Sequence, residues 1–293
     1  MSGRSTRNLL AQRQSLLLWA PSITRRGELK RTMLNHHRVG AGEPLVLVHG
    51  VGSRLQVWDP IIAALAESFE VIAVDLPGFG ASEPLARTTV DTLTDALAAF
   101  LAEQGLEKPH LAGNSMGGLI VLNLAARGLA RSVTAFSPIG FWSVAGRVWC
   151  QRSLGVSKAL GLRMRRALPA ILGTPAGRTT FLSLVFGKAW AVSPQVALDT
   201  AFGAMYAPGF DAALASFADA RLQNGGRLER IPVTVAWGDR DILLTYATQS
   251  RRARAWLPFA RHLTLPDSGH TPFYDDPQRC AQVLLDQLDT SPA

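Results

Sequence analysis

Gly113-Asn114-Ser115-Met116-Gly117-Gly118 lies between a short apolar run, Pro109-His110-Leu111-Ala112, and a helical pattern, Leu119-Ile120-Val121-Leu122-Asn123-Leu124-Ala125-Ala126. A strand that enters a helix through a Gly-x-Ser-x-Gly turn must reverse sharply, which predicts a strained Ser115 with its hydroxyl exposed. Gly113 and Gly117 carry no Cβ, so strand and helix can approach each other without a clash. Glycine and serine are common in loops. The strand before and the helix after are what make the six residues informative.

Outward from this turn, apolar strands and amphipathic helices alternate. Leu45-Val46-Leu47-Val48 reads as a strand ending at His49-Gly50, followed by a helical pattern from Trp58 to Ser68 and a strand Val71-Ile72-Ala73-Val74 ending at Asp75. A helix over Val90 to Gln104 precedes the strand that runs into the turn, and Ser132-Val133-Thr134-Ala135-Phe136 is the next strand. Continuous apolar strands separated by helices predict an α/β fold, a mostly parallel central sheet with helices on both faces. The alternation stops near Ile139 and resumes at Pro232-Val233-Thr234-Val235-Ala236-Trp237. The stretch between them is mostly helical in pattern and reads as an insertion. The last strand falls at His262-Leu263-Thr264-Leu265, with a helix from Pro277 to Leu288 behind it.

The 293 residues are enough for a sizeable core, and 47% apolar content argues for a folded chain. No apolar run approaches the roughly 20 residues of a membrane-spanning helix. Cys150 and Cys280 lie far apart, form no metal-type cluster and read as buried free thiols. No cofactor or metal is expected.

The net charge of +8 is uneven. Residues 1–40 carry eight Lys/Arg and one acid, residues 41–138 five and ten, residues 139–230 eleven and four, and residues 231–293 six and seven. Positive charge thus gathers on an N-terminal arm and on the insertion, away from the segment bearing Ser115. No basic stripe interleaved with stacking aromatics accompanies it, so nucleic acid is not an expected partner. A small-molecule substrate is. The Arg-rich N-terminus lacks a convincing signal peptide: Leu16-Leu17-Leu18-Trp19-Ala20 is too short for a secretory core. The expectation is a cytoplasmic protein whose arm or insertion makes weak contact with a membrane surface.

A serine hydroxyl is a poor nucleophile at neutral pH and needs a base, which in turn needs an orienting acid. With a Gly-x-Ser-x-Gly turn the acid follows the serine and the histidine comes last. Asp241, in Trp237-Gly238-Asp239-Arg240-Asp241, and His270, in Asp267-Ser268-Gly269-His270-Thr271-Pro272, meet that order. Both follow strands, where ligands bind in parallel α/β sheets. Asp239 competes with Asp241 for the acid. The strand before the insertion ends in Ser137-Pro138-Ile139-Gly140 and offers no carboxylate. The Met116 amide, at a helix N-terminus, and the Val51 amide, in His49-Gly50-Val51-Gly52-Ser53, are the candidate donors to an oxyanion.

These pieces, with Asp75-Leu76-Pro77-Gly78-Phe79-Gly80-Ala81-Ser82, resemble the α/β-hydrolase superfamily over about residues 35 to 290. The resemblance implies a Ser-nucleophile member with a helical cap inserted after strand six. The chain divides accordingly into a basic arm (1–27), a first core part (28–138), a cap (139–225) and a second core part (226–293). It implies a Ser115–His270–Asp241 triad and hydrolysis of carboxylic ester-like bonds. A Ser nucleophile separates the chain from haloalkane dehalogenases and epoxide hydrolases, which use Asp at the elbow. The elbow is also similar to that of C–C bond hydrolases acting on ring-cleavage products. Their Trp after the catalytic His is Thr271 here, which makes C–C hydrolysis the second expectation and a slow-turnover ligand receptor the third.

The cap aromatics Phe141, Trp142, Trp149, Phe181, Phe186, Trp190, Phe202 and Tyr206 are candidates to line an acyl pocket or to pack the cap on the core. Lys158, Arg163, Arg165 and Arg166 beside Leu160, Leu162 and Leu168 form either a solvated charged face or a surface for anionic lipid or an acidic leaving group.

Overall fold

All six apolar runs read as strands form strands. The computed structural model describes residues 34–223 and 226–290, so the basic arm expected over 1–27 lies outside the described residues, as do residues 28–33 of the expected core and the last two residues of the expected cap. In chain order the strands are β1 (His36–Gly40), β2 (Glu43–Val48), β3 (Phe69–Val74), β4 (His110–Asn114), β5 (Ser132–Phe136), β6 (Val233–Gly238) and β7 (Arg261–Leu265). The helices are α1 (Asp59–Leu65), α2 (Val90–Glu103), α3 (Met116–Ala126), α4 (Val144–Met164), α5 (Leu168–Leu172), α6 (Pro175–Leu182), α7 (Pro194–Tyr206), α8 (Phe210–Ser216), α9 (Tyr246–Trp256) and α10 (Pro277–Thr290).

The sheet runs β1-β3-β2-β4-β5-β6-β7, with β1 antiparallel to β3 and every other pair parallel. β1 is the strand that apolar patterning misses. His36-His37-Arg38-Val39-Gly40 forms a mostly exposed edge, so it has no apolar run to show. The helix expected over Trp58 to Ser68 is a 3₁₀ turn, Leu55–Trp58, followed by the shorter α1. Counted from His36, the insertion follows β5 rather than a sixth strand, and it contributes α4 to α8.

Both faces of the sheet are covered. On one, Trp58, Ile61 and Leu65 meet Cys280, Val283 and Leu284 of α10 over Leu47, Phe69 and Phe136. On the other, Leu93 and Leu97 of α2 and the whole of α3 pack on Val46, Ile72 and Val133. α3 is buried at every position, and its sequence is correspondingly apolar apart from Asn123, whose Oδ1 accepts from Gln223 N at 2.9 Å. The insertion has a core of its own, in which Leu168, Leu172, Leu182, Phe186 and Met205 pack together. Gly113 of β4 lies between Val48 of β2 and Ala135 of β5, which sets Ser115 at the C-terminal edge of the central strands.

Candidate active site

Ser115 joins β4 to α3 with φ 57° and ψ −117°, a region that non-glycine residues rarely adopt. The turn is held from three sides: the Ser115 amide donates to Phe136 O at 2.9 Å, and Ser115 O accepts from Leu119 N and Ile139 N, each at 3.2 Å. The two flanking glycines have a steric reason. A Cβ on Gly113 would overlap the Gly117 carbonyl, and one on Gly117 would overlap the carbonyl oxygens of Val48 and His49.

His270 lies in the loop after β7, with its Nδ1 2.8 Å from Asp241 Oδ2. The other Asp241 oxygen accepts from the amides of Leu243 and Leu244 at 3.0 and 2.8 Å, so the carboxylate is fixed in orientation. Asp241 is buried and Asp239 is exposed. Cys150 of α4 lies near this carboxylate. Burial, and secondarily the Asp241 charge, push its thiol up to about 12 and keep it neutral.

The β2 loop packs directly on the serine: a Cβ on Gly50 would stand 3.0 Å from Ser115 Cβ. Its shape depends on His49, a fully buried imidazole whose Nδ1 is 2.7 Å from Gly50 O and whose Nε2 accepts from Leu76 N at 3.0 Å. With Nε2 an acceptor, Nδ1 carries the proton and donates to Gly50 O. Burial pushes the pKa of this imidazole down. Buried Asp75 braces the same region, its carboxylate accepting from Leu55 N at 2.7 Å, Ala81 N at 2.9 Å and Asn35 Nδ2 at 2.7 Å. Among the described residues, neither the Val51 nor the Met116 amide donates to another protein group.

Ser115, His270 and Val51 line one cavity of about 230 Å³ between the core and the insertion. Two of the eight insertion aromatics named from the sequence, Phe181 and Phe186, line it; Phe210 and Tyr274 do as well. Trp142 instead packs on Phe217, and Phe141 on Trp256. The rest of the wall is mainly aliphatic, including Leu168, Leu172, Val196 and Met205. Arg54, Lys158 and Asp199 also line the cavity, in two ion pairs, Arg54–Asp199 at 3.2 Å and Lys158–Asp211 at 2.8 Å. Among the described residues no group of three His, Cys, Asp or Glu side chains is arranged to hold a metal ion.

Two residues act here in ways the sequence did not announce. Asn114 Nδ2 donates to His270 O at 2.9 Å and to Phe136 O at 3.2 Å. The Asp275 carboxylate accepts from Gly269 N, Gly187 N and Lys188 N at 2.8, 2.8 and 2.7 Å, joining the histidine loop to the insertion. Only their positions beside the elbow and the histidine motif hinted at either role.

A family model described as the alpha/beta hydrolase family matches residues 45–283. The chain belongs to the alpha/beta hydrolase family. Among similar members, an uncharacterised protein of Mycobacterium tuberculosis is 30% identical over 268 residues, covering 86% of this chain and 77% of that protein. A pimeloyl-[acyl-carrier protein] methyl ester esterase of Aeromonas hydrophila is 29% identical, covering 84% of this chain and 96% of its own. The solved structure of a membrane phospholipase A superposes with a TM-score of 0.67 at 25% identity, covering 96% of this chain and 91% of that one. The seven-stranded, mostly parallel sheet is that of the α/β-hydrolase fold, and hydrolysis is the activity that this family membership implies. Among the described residues no helix is long and apolar enough to cross a membrane.

Proposed function

We propose that this α/β hydrolase cleaves carboxylic ester-like bonds of a small to medium hydrophobic substrate through an acyl-enzyme. One observation carries the reading: a strained Ser115 and an Asp241-bound His270 face the same largely aliphatic cavity. The Aeromonas relative, whose name is that of a methyl ester esterase, supports the ester class.

The roles follow from the chemistry of each group. His270 takes the Ser115 proton as the hydroxyl oxygen attacks the ester carbonyl. Asp241, already hydrogen-bonded to Nδ1, holds the ring and stabilises the imidazolium. The free amides of Val51 and Met116 receive the oxyanion; one such donor is typically worth about 10²–10³ in rate. Collapse of the intermediate breaks the C–O bond, and His270 returns the proton to the leaving alcohol. Water, deprotonated by His270, then attacks the acyl-enzyme and releases the acid. A cavity near 230 Å³ with aliphatic walls suits a short to medium acyl chain.

Turnover of a graded series of p-nitrophenyl esters tests the reading, with Ser115→Ala as the background and a ring-cleavage dienoate as comparison. Ester turnover well above that background is expected. Activity on the dienoate alone would replace ester cleavage with C–C hydrolysis, and no activity on any member would leave the ligand-receptor reading.

A further inference from the structure

We propose that the outer face of α4 docks on an anionic phospholipid bilayer. This inference does not depend on which bond the enzyme cleaves.

The charge pattern is the first observation. From Lys108 to Leu198 the chain contains no Asp or Glu, while residues 139–198 hold eight Lys/Arg. All 21 residues of α4 lie within this acid-free stretch. Exposed Arg152, Arg163 and Arg166 have no carboxylate partner in an ion pair among the described residues.

Exposed apolar side chains stand among these cations. Trp149, Val156 and Leu160 are 49%, 66% and 43% exposed, large values for side chains of this size. At about 100° per residue, Trp149, Arg152, Val156, Leu160 and Arg163 fall within an arc of about 80° on the helix. Such a stripe of cations and apolar groups, with an indole among them, suits the headgroup layer, where apolar groups sink below the phosphates and cations meet them. An acidic protein would satisfy the cations but leave Val156 and Leu160 without a matching apolar depth.

The opposite side of α4 gives the surface its meaning. Leu154, Ser157, Lys158 and Gly161 line the cavity that holds Ser115. Their mean direction is about 150° from the outer stripe. One helix therefore faces the candidate active site with one side and solvent with the other, and docking it would hold the cavity one helix thickness, about 10 Å, from the bilayer surface.

Co-sedimentation of the full chain with vesicles tests the proposal. The two vesicle types are phosphatidylcholine alone and phosphatidylcholine with one-third phosphatidylglycerol. Binding to the anionic vesicles only, weakened by salt, is expected. Arg152→Glu/Arg163→Glu should weaken it by at least about 25-fold, since each cation near an anionic surface is worth roughly fivefold. Val156→Ser/Leu160→Ser should weaken it as well. Arg87→Glu/Lys108→Glu, an equal charge change at exposed positions elsewhere, should cost far less. The N-terminal arm is the same in every variant, so its contribution cancels.

Quenching by brominated lipid supplies a second readout, in which Trp149→Phe should remove most of the quenching seen in the wild type. The proposal is overturned by equal binding to neutral vesicles, by equal losses in the α4 and control variants, or by quenching that survives Trp149→Phe. A wild type that ignores both vesicle types also overturns it, and self-association through this face would then identify a second copy as the occupant.

Discussion

The side-chain amide of Asn114 donates to the main-chain oxygen of His270 at 2.9 Å, tying the residue before the elbow serine to a loop 156 positions further along the chain. The same amide reaches Phe136 O, whose carbonyl also accepts from the Ser115 amide. The serine turn and the histidine loop thus share one buried bracket.

Replacing Asn114 with Ala should therefore lower kcat by about 10–100-fold with little change in KM, because a displaced base harms the chemistry more than binding. Steady-state kinetics on the best p-nitrophenyl ester checks this. A change confined to KM would assign Asn114 to substrate contact instead.

Asp241→Asn should reduce kcat by roughly 10³–10⁴, as the orienting acid of such a triad does. Asp239→Asn should remain within about twofold of the wild type, since its side chain is exposed and the His270 Nδ1 hydrogen bond goes to Asp241. The reverse pattern in the two kinetic measurements would move the acid to Asp239.

Two glycines should respond in opposite directions. Gly117→Ala should fail to fold or lose most of its stability, because the new methyl group overlaps two main-chain oxygens of β2 and its loop. Gly155 lies inside α4 with open space around the position a Cβ would take. Gly155→Ala should stabilise by up to about 1 kcal/mol, a rise of about 2–4 °C in thermal midpoint. Calorimetry of both variants tests the pair.

The fold was legible because buried parallel strands leave unbroken apolar runs, and β1 was not because its polar residues line an exposed edge. Ser115 and His270 stood out through their glycine-flanked turns after strands. Asp239 and Asp241, two residues apart in one loop, share every local signal and differ only in which carboxylate turns inward. That choice is made by Leu243 N, Leu244 N and the His270 ring. The cavity wall was least legible. Which aromatic of the insertion faces inward depends on how its helices pack, so Phe210 lines the cavity while Trp142 and Trp149 do not.

His49 makes stability depend on pH. Its folded pKa is pushed below the ordinary value by burial, so the unfolded chain binds a proton that the folded chain refuses. The stability present above about pH 6.5 is therefore lost as the pH falls below it. Between about pH 7.5 and 5.5 the thermal midpoint of the wild type should fall more than that of His49→Asn. Equal slopes in the two proteins would show that His49 takes up its proton in the fold as well.

Met205 is buried, unbranched and part of the cavity wall. Met205→Ala should move the preferred acyl chain of the p-nitrophenyl series toward longer members, at a stability cost of about 2–5 kcal/mol. An unchanged chain-length optimum would place the acyl group against another wall.

Asp275 holds Gly187 and Lys188 of the insertion and Gly269 of the histidine loop in one carboxylate, and Thr271 N donates to Val185 O at 2.8 Å beside it. Lifting the insertion at this edge would release the loop that carries His270. A second link between core and insertion, the Arg54–Asp199 ion pair at 3.2 Å, is half-exposed. The seating of the insertion and the placement of His270 are thus set by the same few contacts.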